Sequence, residues 1–539
     1  MGAAGIHGIE LIFLVMSVLV AALAAVAKRF NTPYPIVLVI GGLILSLFPR
    51  GPHIELNPDI VFLVILPPLL FQAAFVTSWR DFRYNLASIT GLAVGLVGFT
   101  VFGVAAAARF ILPGFDWRMG LVLGAVVSTT DAVAATTISK RVGLPRRIVD
   151  VVEGESLVND ATGLLALEFA IALVVTGHTP SLAEGFARLL YLIFGSIGIG
   201  LLVGKVIKLF ELKIDDAPIE ITISLVAPYV AYLAAESAHA SGVLATVACG
   251  LYLGHKSSLY YSRGARLTGR AVWDTLTFVL NGFVFILIGF QLPYILAGIR
   301  QYSMHQLLIL GLAFSAVVIL LRLVWVYPGA WLSYFIRRHF LHQEQESTPS
   351  PGAIFIVGWN GMRGVVALAA AISLPEMLAD GSEFPQRNVM IFLTFCVIFV
   401  TLVGQGLTLP ALIRKLGMAG IQGKDPEEAG ARREMIEAAI AYLEHAKEDC
   451  APVDVGVFDD MIRAQRRRLN SLDQNEEVDA GYRPIDYRRW REVSRQVRSL
   501  QRAAILNLRN HQKISDDLMR KLEYEIDLVD AGYSSSEQA

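Results

Sequence analysis

The stretch IVDVVEGESLVNDATGLLALEFAIALVVT, residues 148–176, is long and apolar enough to cross a bilayer, yet it carries Glu153, Glu155, Asn159 and Asp160 within eight positions. About 20 mostly apolar residues span the hydrocarbon layer. A charge at that depth costs about 2.5–3.5 kcal/mol or more, so such groups face protein or a water-filled cavity and are functional candidates by default. On a helix Ser156 and Asp160 are four apart and share a face, while Glu155 and Asn159 share the neighbouring one. One helix therefore presents two polar surfaces at a single depth.

The rest of the chain agrees with a membrane reading. Of 539 residues, 54% are hydrophobic and 17% charged, against about 45–50% and about 25% in soluble domains. This excludes a disordered chain, an ordinary soluble enzyme and a nucleic-acid binder driven by net charge, which here is -1. Cys249, Cys396 and Cys450 form neither a disulfide framework nor a zinc spacing. Charge is concentrated at the end: 43 of the 116 residues in 424–539 are charged, against 50 of the 423 before them. Two parts follow, a transmembrane domain over 1–420 and a cytoplasmic helical domain over 421–539.

The chain reads as an all-α polytopic membrane protein with about thirteen spans, near 8–28, 34–49, 58–77, 84–112, 117–139, 148–176, 185–210, 217–236, 240–255, 271–298, 305–336, 352–375 and 388–415. The first has no basic leader and is followed at once by another apolar segment, so it is read as a span and not as a signal peptide. With this count the odd connections carry 19 Lys and Arg and the even ones six (Arg50, Arg109, Arg118, Arg188, Arg300 and Arg387). Basic connections stay cytoplasmic. The expectation is an N-terminus outside and a C-terminal tail inside the cell membrane.

Two further spans hold polar groups. The fifth contains Ser128-Thr129-Thr130-Asp131, and the twelfth reads Gly358-Trp359-Asn360-Gly361-Met362-Arg363-Gly364. Three glycines around a polar centre weaken a helix. Interrupted helices at matching places in two halves are a sequence pointer to a transport site; here each is the fifth of six, which suggests an inverted repeat. The expected site is Asp160, Asn159, Asp131, Thr130 and Ser156, with Asp160, Asp131, Ser156 and Thr130 as oxygen ligands of Na⁺ or another monovalent cation. Arg363 is expected to pair with Glu155, and Arg322 has no named partner. Carboxylate, hydroxyl and amide oxygens without His or Cys suit an alkali cation rather than a transition metal. A desolvated carboxylate disfavours its charged form, so it holds a proton or a cation but not both.

These pieces together resemble the NhaP/NHE-type sodium/proton antiporters in their bacterial form. The carrying motifs are LPPLLFQAAF (66–75), STTDAVA (128–134), VEGESLVNDATG (152–163), NGFVFILIGFQL (281–292) and GWNGMRGVVALA (358–369). The resemblance implies two bundles, a dimerisation domain and a core domain with crossed, unwound helices, and a homodimer. It makes Asp160 the ion- and proton-binding aspartate and Asn159 the Asn of an Asn-Asp motif associated with electroneutral exchange. Thr130 and Asp131 become the unwound-helix pair, and Glu155 with Arg363 the core ion pair. Many relatives have Glu where this chain has Gln72, which makes Gln72 and Arg322 the gating candidates.

The expected function is secondary exchange of Na⁺ or Li⁺ for H⁺, with K⁺/H⁺ exchange on the same fold as the alternative. A channel or a sensor with a signalling tail are the readings of another class. No cofactor is expected, the partners being the cation, the proton and the bilayer, and no catalytic motif marks an enzyme. Glu168, Glu220, Glu236 and Asp274 read as span-end or funnel charges, Glu153 as structural, and Pro67-Pro68 as a packing kink. In the tail, Met435–Ala446 and Val493–Leu508 have apolar residues at helical spacing.

Overall fold

The computed structural model describes residues 3–48, 56–112, 114–176, 182–299, 302–340, 342, 348, 350–378, 382–420, 426–448 and 455–472, with scattered positions between 497 and 526. Arg50, Arg300, Cys450 and part of the 493–508 run, including 493–496, lie outside these residues. The described residues are helical, apart from turns and one isolated bridge between Met377 and Glu383. Among the described residues, eight helices are long and apolar enough to cross a membrane, from Pro58–Val76 to Arg387–Lys415. Shorter apolar helices such as Tyr34–Ser46 and Trp117–Val126 lie between them.

Residues 1–421 form one compact unit and 422–539 another. The first contains two bundles. Ala3–Arg29, Tyr34–Ser46, Pro58–Val76, Ala217–Ser237, Gly242–Tyr260 and Arg263–Phe290 pack on one another, joined by Leu182–Glu211. The 86–111, 117–142, 146–176, 304–339, 351–372 and 387–415 segments form the other. Lipid tails are as apolar as leucine, so helices associate through close packing. Gly42 and Gly289 supply it in the first bundle, because a methyl on either would overlap the facing backbone at Ile286 and Val39. Large apolar side chains such as Phe102, Phe194, Leu202 and Leu312 point outward, where a bilayer solvates them.

Two segments of the second bundle are not continuous helices. Trp117–Val126 starts at Asp116, whose Oδ1 accepts the Met119 N–H at 2.8 Å, and ends before 127–131; the chain resumes as Ala132–Val142. Pro351–Trp359 starts at the Ser350 cap, stops at Asn360 and resumes as Val365–Ile372. The Leu66-Pro67-Pro68 step follows a widened turn, Val61–Ile65, as expected where proline removes backbone donors.

In the second unit, Pro426–Glu448 packs against Val455–Leu472. Ile436, Leu443 and Ile462 are buried, and Lys447–Asp459 and Arg466–Glu444 bridge at 2.6 Å each. Lys447 holds the exposed Asp459 carboxyl below the usual carboxylate range. That contribution is present at neutral pH and lost as pH falls through the depressed value.

Candidate functional site

The two interrupted segments cross at their breaks. The Asp131 N–H donates to the Met362 carbonyl at 2.8 Å, and Gly364 meets the Asp131 side chain so closely that a methyl there would overlap the carboxylate. Each interruption leaves carbonyls without helical donors, and an arginine comes to each. Arg363 Nη1 donates to Ser128 O at 2.6 Å and Thr129 O at 2.9 Å, beyond the end of Trp117–Val126. Arg322 Nε donates to Gly358 O at 2.9 Å and its Nη2 to Val357 O at 3.1 Å, in the last turn of Pro351–Trp359. A cation at a helix C-terminus also complements the helix dipole.

The Arg146–Thr176 helix runs beside this crossing. Glu155 receives both terminal nitrogens of Arg322, at 2.5 and 2.8 Å, with the pair 1% and 2% exposed. This corrects the expected Glu155–Arg363 pair. Arg363 turns to the opposite break, and its backbone N–H is held by Thr401 Oγ1 at 3.1 Å. Arg322 reaches Glu155 over Gly361, where a methyl would overlap its guanidinium stem. Arg322, for which no partner was expected, is the buried ion-pair partner of Glu155 and the cap of a half-helix.

The other expected residues divide by how their polar atoms are used. Thr130 Oγ1 donates to Glu155 Oε1 at 3.2 Å and accepts from Asn159 Nδ2 at 2.5 Å. Ser156 Oγ donates to Thr130 O at 2.9 Å and accepts the Ala132 N–H at 3.2 Å. Asp131 Oδ1 accepts the Val133 N–H at 2.8 Å, capping the resumed helix. Ser156, Thr130 and one oxygen of Asp131 thus hold the unwound strand against its neighbour. By contrast, Asn159 Oδ1 and Asp160 Oδ1 are buried with no hydrogen-bond partner among the described residues. Asp131 and Arg363 lie within electrostatic reach of Asp160. Gln72 stands apart on Pro58–Val76, and its buried Oε1 also lacks a partner among the described residues.

Sequence reasoning passed over four residues of this region. Thr129 Oγ1 and both polar atoms of Asn360 are buried without partners among the described residues. Thr401, anchoring Arg363, and Gln405, with a buried unpartnered Oε1, sit in a widened helical turn, Val400–Gln405. The visible signal was a polar residue beside a glycine in an apolar span: Asn360 before Gly361, Gln405 before Gly406.

Because Gly364 lies on the crossing, Gly364→Ala is expected to displace Asp131 and to destabilise the fold by about 1–3 kcal/mol, the usual cost of overpacking. A thermal unfolding scan in detergent measures the loss. An unchanged midpoint would show that the breaks do not touch.

Among the described residues, no group of three or more His, Cys, Asp or Glu is placed to hold a metal ion. Among the described residues, the unpartnered buried oxygens of this region, which include those on Asp160, Asn159 and Thr129, are hard donors. A cavity of about 930 Å³ runs between the bundles. Val158, Ala161 and Thr162 line one wall, and Leu244, Val247 and Leu251 the other.

The family model described as "Sodium/hydrogen exchanger, transmembrane" matches residues 15–415. An uncharacterised Na⁺/H⁺ exchanger of Mycobacterium bovis is 32% identical over 530 residues, covering 95% of each chain. A sodium, potassium, lithium and rubidium/H⁺ antiporter of Bacillus pumilus is 34% identical over 469 residues, covering 83% of this chain and 68% of that one. The solved sodium proton antiporter MjNhaP1 of Methanocaldococcus jannaschii aligns with a TM-score of 0.58 at 19% identity, over 75% of this chain and 97% of the other. That likeness concerns the fold.

Proposed function

The chain belongs to the sodium/hydrogen exchanger family, and from that premise we propose that Asp160 is the group for which Na⁺ and H⁺ compete. The protein is a multi-pass membrane antiporter that exchanges Na⁺ for H⁺. The observation that carries the assignment is one of charge. Glu155 is matched by Arg322, which leaves the single charge of Arg363 against two acids, Asp131 and Asp160; the crossing carries one surplus negative charge, and of the two acids Asp131 spends its Oδ1 on the Val133 N–H while Asp160 does not. Its buried Oδ1 has no partner among the described residues.

A site with one surplus negative charge is neutral whether it holds Na⁺ or H⁺. Either loaded form crosses the low-dielectric barrier at similar cost, whereas the empty, charged form is held back. That supports one-for-one, electroneutral turnover by alternating access. Na⁺ binds with Asp160 Oδ1, Asn159 Oδ1 and Thr129 Oγ1 as its free ligands. The crossing then shifts against the other bundle along the cavity between them, and the ion leaves. A proton takes Asp160 and returns. Thr130, Ser156 and Asp131 hold the unwound segment in shape through this cycle. The reading includes a homodimer with its N-terminus outside the cell membrane.

K⁺ stays a second substrate candidate, because the Bacillus pumilus relative is named for sodium, potassium, lithium and rubidium. Proteoliposomes with an imposed pH gradient test both. Addition of Na⁺ or Li⁺ is expected to dissipate the gradient and choline to leave it intact, with a rate unaffected by membrane potential. A rate that follows the potential overturns the stoichiometry. Dissipation by K⁺ alone overturns the choice of ion.

A further inference from the structure

Away from the crossing, the first bundle encloses a second pair of acids. Glu211 and Glu220 are 1% and 0% exposed. Glu220 stands in the first turn of Ala217–Ser237 and accepts the Ser262 N–H on Oε2 at 2.9 Å; its Oε1 has no hydrogen-bond partner among the described residues. The positive end of its helix dipole favours that carboxylate. Glu211 is in the opposite situation. It is the last residue of Leu182–Glu211, at the negative end of the dipole, and neither carboxylate oxygen has a hydrogen-bond partner among the described residues.

Their surroundings are apolar and aromatic, with Ile207, Cys249, Tyr260 and Trp273 in one buried cluster. The two carboxylates lie within electrostatic reach of each other and of the Tyr261 side chain, and Glu211 also of Tyr260. The basic residues of the adjoining turns do not reach them: Arg266 donates to the Tyr261 carbonyl, and Lys213 is exposed. A buried carboxylate is tolerated only where a counter-charge or a set of donors meets it. Glu211 has neither, and a second acid stands beside it.

We infer that Glu211 and Glu220 bind an inorganic cation through oxygen donors, at a site separate from Asp160. Two carboxylates with phenolic hydroxyls nearby form a hard-oxygen set of the kind that Ca²⁺ and Mg²⁺ take. Charge balance selects a divalent ion, since a monovalent one leaves a buried negative charge uncompensated. Bound there, the ion ties the end of Leu182–Glu211 to the start of Ala217–Ser237 and, through Glu220, to the turn at Ser262. It thereby stiffens the bundle against which the crossing moves.

The test uses the full-length chain carrying Asp160→Asn, so that binding at the transport site does not contribute. Its unfolding temperature is measured in Ca²⁺, Mg²⁺, Na⁺ and choline, and radioactive calcium is followed by equilibrium dialysis. The expected result is a higher unfolding temperature in Ca²⁺ or Mg²⁺ and about one bound ion per chain. Both effects should be lost on adding Glu211→Gln, and again on adding Glu220→Gln. These changes remove buried charge; if one of them fails to fold, the other and the dialysis of the parent still decide. Stabilisation by Na⁺ alone, no ion dependence at all, or an effect that survives both substitutions overturns the inference. An ion-independent gain in stability from Glu211→Gln also overturns it, by showing that the two acids share a proton instead.

Discussion

Asp160→Asn is expected to abolish Na⁺-driven proton flux in proteoliposomes while leaving the protein folded. The substitution keeps the shape of the side chain and removes its charge. At about 4 Å and an effective dielectric near 20, a carboxylate–cation contact contributes about 4 kcal/mol, roughly a thousandfold in affinity. The amide also cannot take up and release the proton that returns. Asp160 makes no direct ion pair among the described residues, so losing its charge breaks no contact, and the protein should stay folded. Flux at the wild-type level would remove Asp160 from the mechanism and leave Asp131, whose Oδ1 caps a helix, as the acid of the crossing to test next. Loss of flux together with loss of folding would make Asp160 structural.

The second large effect concerns the buried ion pair. Arg322→Met leaves Glu155 charged at 1% exposure, and breaking such a pair costs about 3–5 kcal/mol. Glu155→Leu strands Arg322 in the same way, so either single change should lower the unfolding temperature sharply or prevent expression. The double variant removes both charges and should recover much of the loss, because a buried pair often does little better than apolar residues of similar volume. A double-mutant cycle separates this arrangement from the alternative. Coupling between 155 and 322 should be large, and coupling between 155 and 363 small, because Arg363 bonds to the Ser128 and Thr129 carbonyls. The reverse pattern would mean that Glu155 pairs with Arg363 after all.

Much of the fold was legible because the cost of polar groups in lipid is local. Every apolar stretch is recognisable without knowing its neighbours, and the two interrupted helices announce themselves through Ser128-Thr129-Thr130-Asp131 and the glycines at 358, 361 and 364. The same rule picked out Glu155, Asn159 and Asp160, which the structure brings to one place beside the crossing. It left Thr129, Asn360, Thr401 and Gln405 out of the expected site, since hydroxyls and single amides occur in many spans and bond to their own helix. It read Glu220 as a span-end charge, and the structure buries it. Whether an acid near a helix end is wet depends on which turns fold over it, and the 260–263 turn lies 40 residues away.

By itself the sequence determined that this chain is a bundle of apolar helices, three of which carry polar and acidic groups within their apolar stretch, because hydration cost and helix propensity act residue by residue. Only the tertiary structure decided which arginine answers Glu155. Arg322 and Arg363 both lie in later spans, and Arg322 is 167 positions from its partner. Both are long and flexible, and their charge is felt over only a few ångströms. The choice follows from where the half-helices end and from the room that Gly361 leaves for the Arg322 stem. Neither exists until the two breaks have crossed.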